Sequence, residues 1–320
     1  MLSRVAERLY WMARYLERAE NTARLTRAYS QLMLDLPSGV GLDWLQLVDI
    51  TGSHSQFTHR HRTAGERNVM RYVLSTPDNP GALITSLAQA RENVRTTRDL
   101  VPSEGWEHVN ELYLYARKKL ASRGIPRDLY NFLSEITGRC QQITGLLAGT
   151  MSHGDAYQFV RIGRNLERTD MSTRIIDVGS ATLIAPGAEL ERLENRLWTH
   201  ILRSLSAHQM YRQYVRRRIR PISVLAFLFH DTHFPRAIAH SLGEIHSCLE
   251  QLINHEEPLR VVLRLQRLVA EADIEKLYAH GLHEVIDDLQ LELGRVHEAI
   301  AVTWFSRDLS GAGLPAQQVG

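Results

Sequence analysis

Cysteine is nearly absent from this chain of 320 residues, with only Cys140 and Cys248. Two thiols cannot make a disulfide framework, and they fit a reducing compartment. Lysine is also rare: Lys118, Lys119 and Lys276 stand beside 35 arginines. Long hydrophobic runs are missing. The longest, Ile222 to Phe229 with one serine, is far short of the roughly 20 residues a membrane span needs. The opening Met1-Leu2-Ser3-Arg4-Val5-Ala6-Glu7-Arg8 is charged and lacks a signal-peptide core. The expectation is a soluble cytoplasmic protein with no membrane contact. Neither charge sign dominates: 38 basic and 36 acidic side chains leave +2, which gives no global attraction to nucleic acid. A Gly-rich phosphate loop, a nucleophile elbow and a dinucleotide fingerprint are all lacking, so no cofactor is expected.

What remains is ordinary globular material, 44% hydrophobic and 23% charged, which argues against disorder. The arginine surplus suits either codon usage or an anion-handling surface, and composition alone does not choose. Fifteen histidines invite a metal reading. His54, His59 and His61 cluster in sequence, His230 and His233 flank Asp231, and His280 and His283 precede Glu284. None forms a two-His helical site with a catalytic Glu, and Cys is nearly absent as a co-ligand, so no metal is expected.

The ten prolines, at 37, 77, 80, 102, 126, 186, 221, 235, 258 and 315, should mark helix ends and first turns. The intervals between them are rich in Leu, Ala, Arg and Glu, all good helix formers, and lack hairpin signals. This predicts an all-α protein with helices near 3–34, 64–75, 80–101, 103–121, 127–149, 155–180, 187–218, 235–254 and 273–305. A looser stretch covers 36–63, and a frayed, flexible tail follows from Ser306.

The chain also repeats itself. Arg14-Tyr15-Leu16-Glu17-Arg18-Ala19-Glu20-Asn21-Thr22-Ala23-Arg24-Leu25 aligns without a gap on Arg164-Asn165-Leu166-Glu167-Arg168-Thr169-Asp170-Met171-Ser172-Thr173-Arg174-Ile175. Further on, Pro80-Gly81-Ala82-Leu83 matches Pro235-Arg236-Ala237-Ile238 in the same order. The expectation is one helical domain over 1–305, a bundle of two pseudo-equivalent halves, about 1–150 and 151–305, made by internal duplication.

On a helical projection, Val5, Leu9, Met12, Ala13, Leu16, Ala19 and Ala23 form an apolar arc beside a polar arc of Arg14, Glu17, Arg18, Asn21 and Arg24. Arg164, Glu167, Arg168 and Arg174 repeat the polar arc. Charges on a central helix must meet partners. In one reading the carboxylates are held by their own helix, Arg14–Glu17 and Arg164–Glu167, or by arginines across the bundle. In the other, the two stripes line a cleft. Arg14, Arg18, Arg164 and Arg168 would then donate forked hydrogen bonds to a carboxylate or phosphate, and Glu17 and Glu167 would orient them or grip an amine. Such a cleft suits an amino-acid or peptide ligand. Asn21 belongs to the same candidate set. Arg91, Arg95 and Arg98 share one face and would extend the basic surface or simply be solvated. The basic run Arg212, Arg216, Arg217, Arg218 and Arg220 has no recognised nucleic-acid module around it, and no nucleic-acid partner is expected.

The block Met1 to Arg24, with Arg14-Tyr15-Leu16-Glu17-Arg18 at its centre, closely resembles the bacterial alpha-E proteins, an all-helical family named for its Glu-Arg motif. The likeness continues through Asn79-Pro80, Ala90-Arg91-Glu92-Asn93-Val94-Arg95, Trp106, Gly163-Arg164-Asn165-Leu166-Glu167-Arg168 and Phe234-Pro235-Arg236. His233-Phe234 and Ala237 depart from the family pattern, which usually has an Asp/Asn-type pair before the proline and Ser after it. The resemblance implies no catalytic activity of its own. It implies a helical partner of a circularly permuted ATP-grasp ligase, in a setting of amide or peptide bond formation, with a transglutaminase-like protein as a further associate. An enzyme that transfers or hydrolyses an amidated product, and a purely structural bundle forming a homo-oligomer, stay open as alternatives.

Overall fold

The computed structural model describes residues 3–35, 42–121, 125–184 and 188–305. The tail expected to fray, 306–320, lies outside them, as do Pro37, Gly39 and Gly41 of the loose stretch and Pro186. Among the described residues the chain is helical throughout, with no strand. The first part runs α1 (Ser3–Asp35), α2 (Leu45–Ile50), α3 (His54–Arg60), α4 (Glu66–Ser75), α5 (Leu83–Arg95), α6 (Ser103–Leu120) and α7 (Leu129–Thr150). The second runs α8 (Asp155–Ile184), α9 (Ala188–Ser204), α10 (His208–Tyr214), α11 (Pro221–His230), α12 (Ile238–Leu249), α13 (Glu256–Ala270), α14 (Ile274–Ala279) and α15 (Leu282–Ile300). A π-type turn, Ala301–Phe305, follows α15. No described helix is long and apolar enough to cross a membrane.

Two helices organise the rest. α1 packs on α5 and α7, with α6 between those two; α8 packs on α12 and α15, with α13 between those two. The two groups meet where α1 crosses α8. One small residue makes the crossing close: Gly163 faces α1 from α8. A Cβ on Gly163 would lie 2.3 Å from the Tyr10 carbonyl oxygen. That distance is far inside van der Waals contact, so the backbones approach as they do only because this side chain is a hydrogen.

The predicted elements hold over α1 and α4 to α8 and change in the second half. The helix expected over 187–218 is two, α9 and α10. It ends at Ser206, whose φ is +53°, and the Ala207 N–H closes back onto Leu202 O at 2.7 Å. This is a Schellman-type stop with serine where glycine is usual, so the sequence carries no stop signal. The helix expected over 273–305 breaks at Gly281, φ +90°, the left-handed position glycine favours. The loose stretch holds α2 and α3. Two further helices were not expected. α13 starts with Glu256-Glu257-Pro258, a first turn that tolerates proline. α11 has Pro221 at its first position and buries Val224, Leu225, Phe227, Leu228 and Phe229, so it shows no polar face to betray a helical period.

Candidate functional site

The motif residues meet at the crossing, and they pair across it. Glu167 on α8 accepts Arg14 Nε at 2.8 Å and Arg18 Nε and Nη2 at 2.5 and 2.9 Å, both arginines from α1. Reciprocally, Glu17 on α1 accepts Arg168 Nε at 3.2 Å and Nη2 at 2.9 Å. The within-helix pairs Arg14–Glu17 and Arg164–Glu167 do not carry the carboxylates; the cross-bundle alternative does. The guanidiniums of Arg14 and Arg18 also lie over aromatic rings, Trp11 at 5.0 Å and Tyr15 at 5.5 Å, which favours the cationic form.

Around Glu17 the network continues inward. Arg236, in the turn before α12, donates Nη1 to Glu17 Oε1 and to Asn21 Oδ1, each at 2.7 Å, and Nη2 to Glu20 Oε1 at 3.0 Å. Arg24 also donates to Glu20 and, at 3.2 Å, to Asn21 Oδ1. Glu17, Glu20, Asn21 and Arg24 are all buried. Burial alone would raise the Glu17 carboxyl, but the guanidiniums of Arg168 and Arg236 outweigh it and hold it well below the usual carboxylate range. Arg14 and Arg18 likewise outweigh burial at Glu167 and lower it. Arg236 is brought down to about 10, first by burial, with Arg24 and Arg168 adding to it and Glu17 opposing. Arg164 is lowered by burial and by Arg168, and its Nε has no partner.

Around Glu167 one side is open. The turns before α5 and α12 are alike: Ala82 N–H donates to Asn79 O at 3.0 Å and Ala237 N–H to Phe234 O at 2.9 Å. The first turn has Gly81 where the second has Arg236. No side chain reaches in from Gly81, and a cavity of about 240 Å³ lies there, bordered by Arg18, Thr22, Glu167, Asp170 and Arg174. Arg174 Nε donates to Asp170 Oδ2 at 3.0 Å. Thr22 is buried and its hydroxyl has no partner.

Of the residues singled out in the sequence, Arg14, Glu17, Arg18, Asn21, Glu167 and Arg168 come together here, with Arg164 half-buried alongside on α8. Arg91 and Arg95 do not join them. Arg91 Nε donates to Asn110 on α6 at 2.7 Å, with its guanidinium against the Trp106 and Tyr113 rings, and Arg95 pairs with Glu92 on the surface. The candidate set omitted Arg236, Glu20, Arg24, Thr22, Asp170 and Arg174. All six occupy the aligned repeat segments, which was the available signal. The histidine reading also missed a grouping: Asp177 from α8 gathers with His283 and Asp287 from α15, with ligand atoms within 4.8 Å of one another. His283 Nδ1 lies 2.8 Å from Asp177, which raises its pKa.

A family model described as "a predicted alpha-helical domain with a conserved ER motif" matches residues 1–305. The chain belongs to the Alpha-E family. It is also similar to an uncharacterized protein of Mycobacterium bovis and to uncharacterized proteins of two Mycobacterium tuberculosis strains, CDC 1551 / Oshkosh and ATCC 25618 / H37Rv. Each is 23% identical over 93% of this chain and 35% of its own length. The chain thus spans about a third of the length of these relatives. No solved structure matches it.

Proposed function

We propose that this Alpha-E protein is a non-catalytic partner of an ATP-grasp-type ligase, acting in amide or peptide bond formation or peptide modification and holding an amino-acid or peptide substrate. Its setting is the cytoplasm, with a transglutaminase-like protein as a further associate. In this proposal residues 1–305 work as one unit, descended from a doubled helical module whose two motif helices are α1 and α8. The reciprocal pairs Arg18–Glu167 and Arg168–Glu17 support the doubling, because exchanging the two halves converts one pair into the other.

The observation that carries the non-catalytic reading is the state of the motif carboxylates. Each is buried and held by two guanidiniums, Glu167 by Arg14 and Arg18 and Glu17 by Arg168 and Arg236. A general acid or base needs a pKa near the working pH and room to exchange a proton. Both carboxyls are driven the other way, and this counts against an enzyme that uses them for transfer or hydrolysis. The partner role is supported by the mycobacterial relatives, in which the matched region is about a third of a longer polypeptide.

Co-expression with an ATP-grasp ligase from the same genome tests the proposal. A co-purifying complex with altered ATP turnover is the expected result. Two independently eluting proteins with unchanged ligase kinetics would refute it.

A further inference from the structure

The two ends of the α1–α8 crossing are built from matched residues. Glu17, Glu20, Arg24, Arg168 and Ser172 at one end correspond to Glu167, Asp170, Arg174, Arg18 and Thr22 at the other. At the first end the space between the carboxylates is filled by the Arg236 guanidinium, and Ser172 Oγ donates to the Arg236 carbonyl at 3.0 Å. At the second end Gly81 leaves that space as the cavity, and Thr22, the counterpart of Ser172, has no partner. A buried hydroxyl without a hydrogen bond is costly, so the open end is the less satisfied of the two.

The missing group is not simply another cation. Three acceptors hold Arg236: Glu17, Asn21 and Glu20. At the open end Met171 replaces Asn21, and Glu167 already accepts three bonds from Arg14 and Arg18. Of the counterparts of those three acceptors, only Asp170 has an oxygen to spare, Oδ2 being taken by Arg174 Nε. The donors outnumber it. Arg18 uses Nε and Nη2 on Glu167, and Arg174 uses Nε on Asp170, which leaves terminal guanidinium nitrogens on two arginines that border the cavity together with Thr22. Arg18 and Arg174 border the cavity with Glu167 and Asp170, and Arg14 shares Glu167 from outside it, so the cluster holds one more guanidinium than carboxylate.

From this donor excess with a single spare carboxylate, we propose that the Gly81 cavity binds a small zwitterion of the α-amino-acid class. The ligand carboxylate lies on Arg18, Arg174 and Thr22, and its ammonium on Asp170. Forked donors suit a carboxylate, and about 240 Å³ is below the range of drug-sized sites and accommodates a single residue. The proposal names the place and class of the substrate-holding role above. It rests on that part of the reading and not on the ligase, so a failed co-purification leaves it standing.

Isothermal titration of the full chain at low ionic strength, with individual L-amino acids and with acetate and inorganic phosphate, tests it. At least one amino acid should bind, with acetate and phosphate about tenfold weaker or worse for want of the ammonium contact. Gly81→Leu places a neutral side chain in the cavity, where its Cβ meets nothing closer than 3.4 Å, and should abolish binding. Thr22→Val should weaken it about tenfold; this variant decides if Gly81→Leu does not fold by circular dichroism. Asp170→Asn should erase the preference for amino acids over acetate. The proposal is overturned if no amino acid binds, if phosphate binds as well as any amino acid, or if folded Gly81→Leu and Thr22→Val bind like the parent chain.

Discussion

Around Glu17 and around Glu167 the same helices, crossing once, make two clusters of nearly the same chemistry. The Glu17 cluster is closed: Arg236 reaches in from the turn before α12 and ties Glu17, Glu20 and Asn21 together. The Glu167 cluster is held from one side by Arg14 and Arg18 and opens on the other at Gly81. Loss of one side chain and exchange of Asn21 for Met171 convert a filled, structural ion-pair cluster into a lined cavity. The doubling proposed above would divide labour in this way, with one copy kept as scaffold and the other open at Gly81.

The largest effect should come from breaking what both clusters share. Gly163→Leu forces the backbones of α1 and α8 apart, because even a Cβ would sit 2.3 Å from Tyr10 O. A loss above about 4 kcal/mol, or no folded protein, is expected by urea unfolding. Gly138→Ala on α7 meets nothing within 4 Å and should be neutral or stabilising by up to about 1 kcal/mol.

A second comparison separates the two ends. Glu17→Gln leaves the buried guanidinium of Arg236 short of a counter-charge and should cost about 3–5 kcal/mol. Glu167→Gln should cost about 1–3 kcal/mol, since side-chain exposures of 12% for Arg14 and 23% for Arg18 let both reach water. Equal losses in denaturant titrations would remove the distinction between closed and open ends.

A pH series sharpens the comparison further. Glu17 and Glu167 have depressed pKa values, so their stabilisation is complete above the ordinary carboxylate range and is lost progressively as pH falls below it towards the folded values. His200 on α9, edge-on to the Tyr29 ring, behaves differently, pushed down to about 4 by burial and by Arg203. Unfolded, it titrates near its ordinary value of about 6.5. Between these values the unfolded chain binds the extra proton, so stability falls by about 2 kcal/mol as pH drops from 6.5 towards 4. His200→Gln should flatten that limb and leave the steeper loss at lower pH, which belongs to the carboxylates.

Much of this was legible in the sequence. The helices from α4 to α8 follow from proline spacing and amphipathic periods, and the offset of 150 placed Glu17 and Glu167 as counterparts. What could not be read was long-range geometry. Arg236 is 219 positions from Glu17, and nothing local tells an inward-pointing arginine from a surface one. Arg91 and Arg95 show the opposite error: their spacing suggested a shared basic face, but one is absorbed by Asn110 and aromatic rings of α6 and the other by Glu92. Helix α11 was hidden because it is apolar even on the face it exposes, where Ile222 and Ala226 lie, and the stop at Ser206 because serine there mimics glycine.

Above all, the Glu-Arg motif is a clamp between α1 and α8. A double-mutant cycle on Arg18 and Glu167, with Arg18→Met, Glu167→Gln and the double variant followed by urea unfolding, measures it most directly. The clamp predicts a coupling energy of about 2 kcal/mol, within the range for contacting residues. Additive losses, with coupling within about 0.3 kcal/mol of zero, would contradict it.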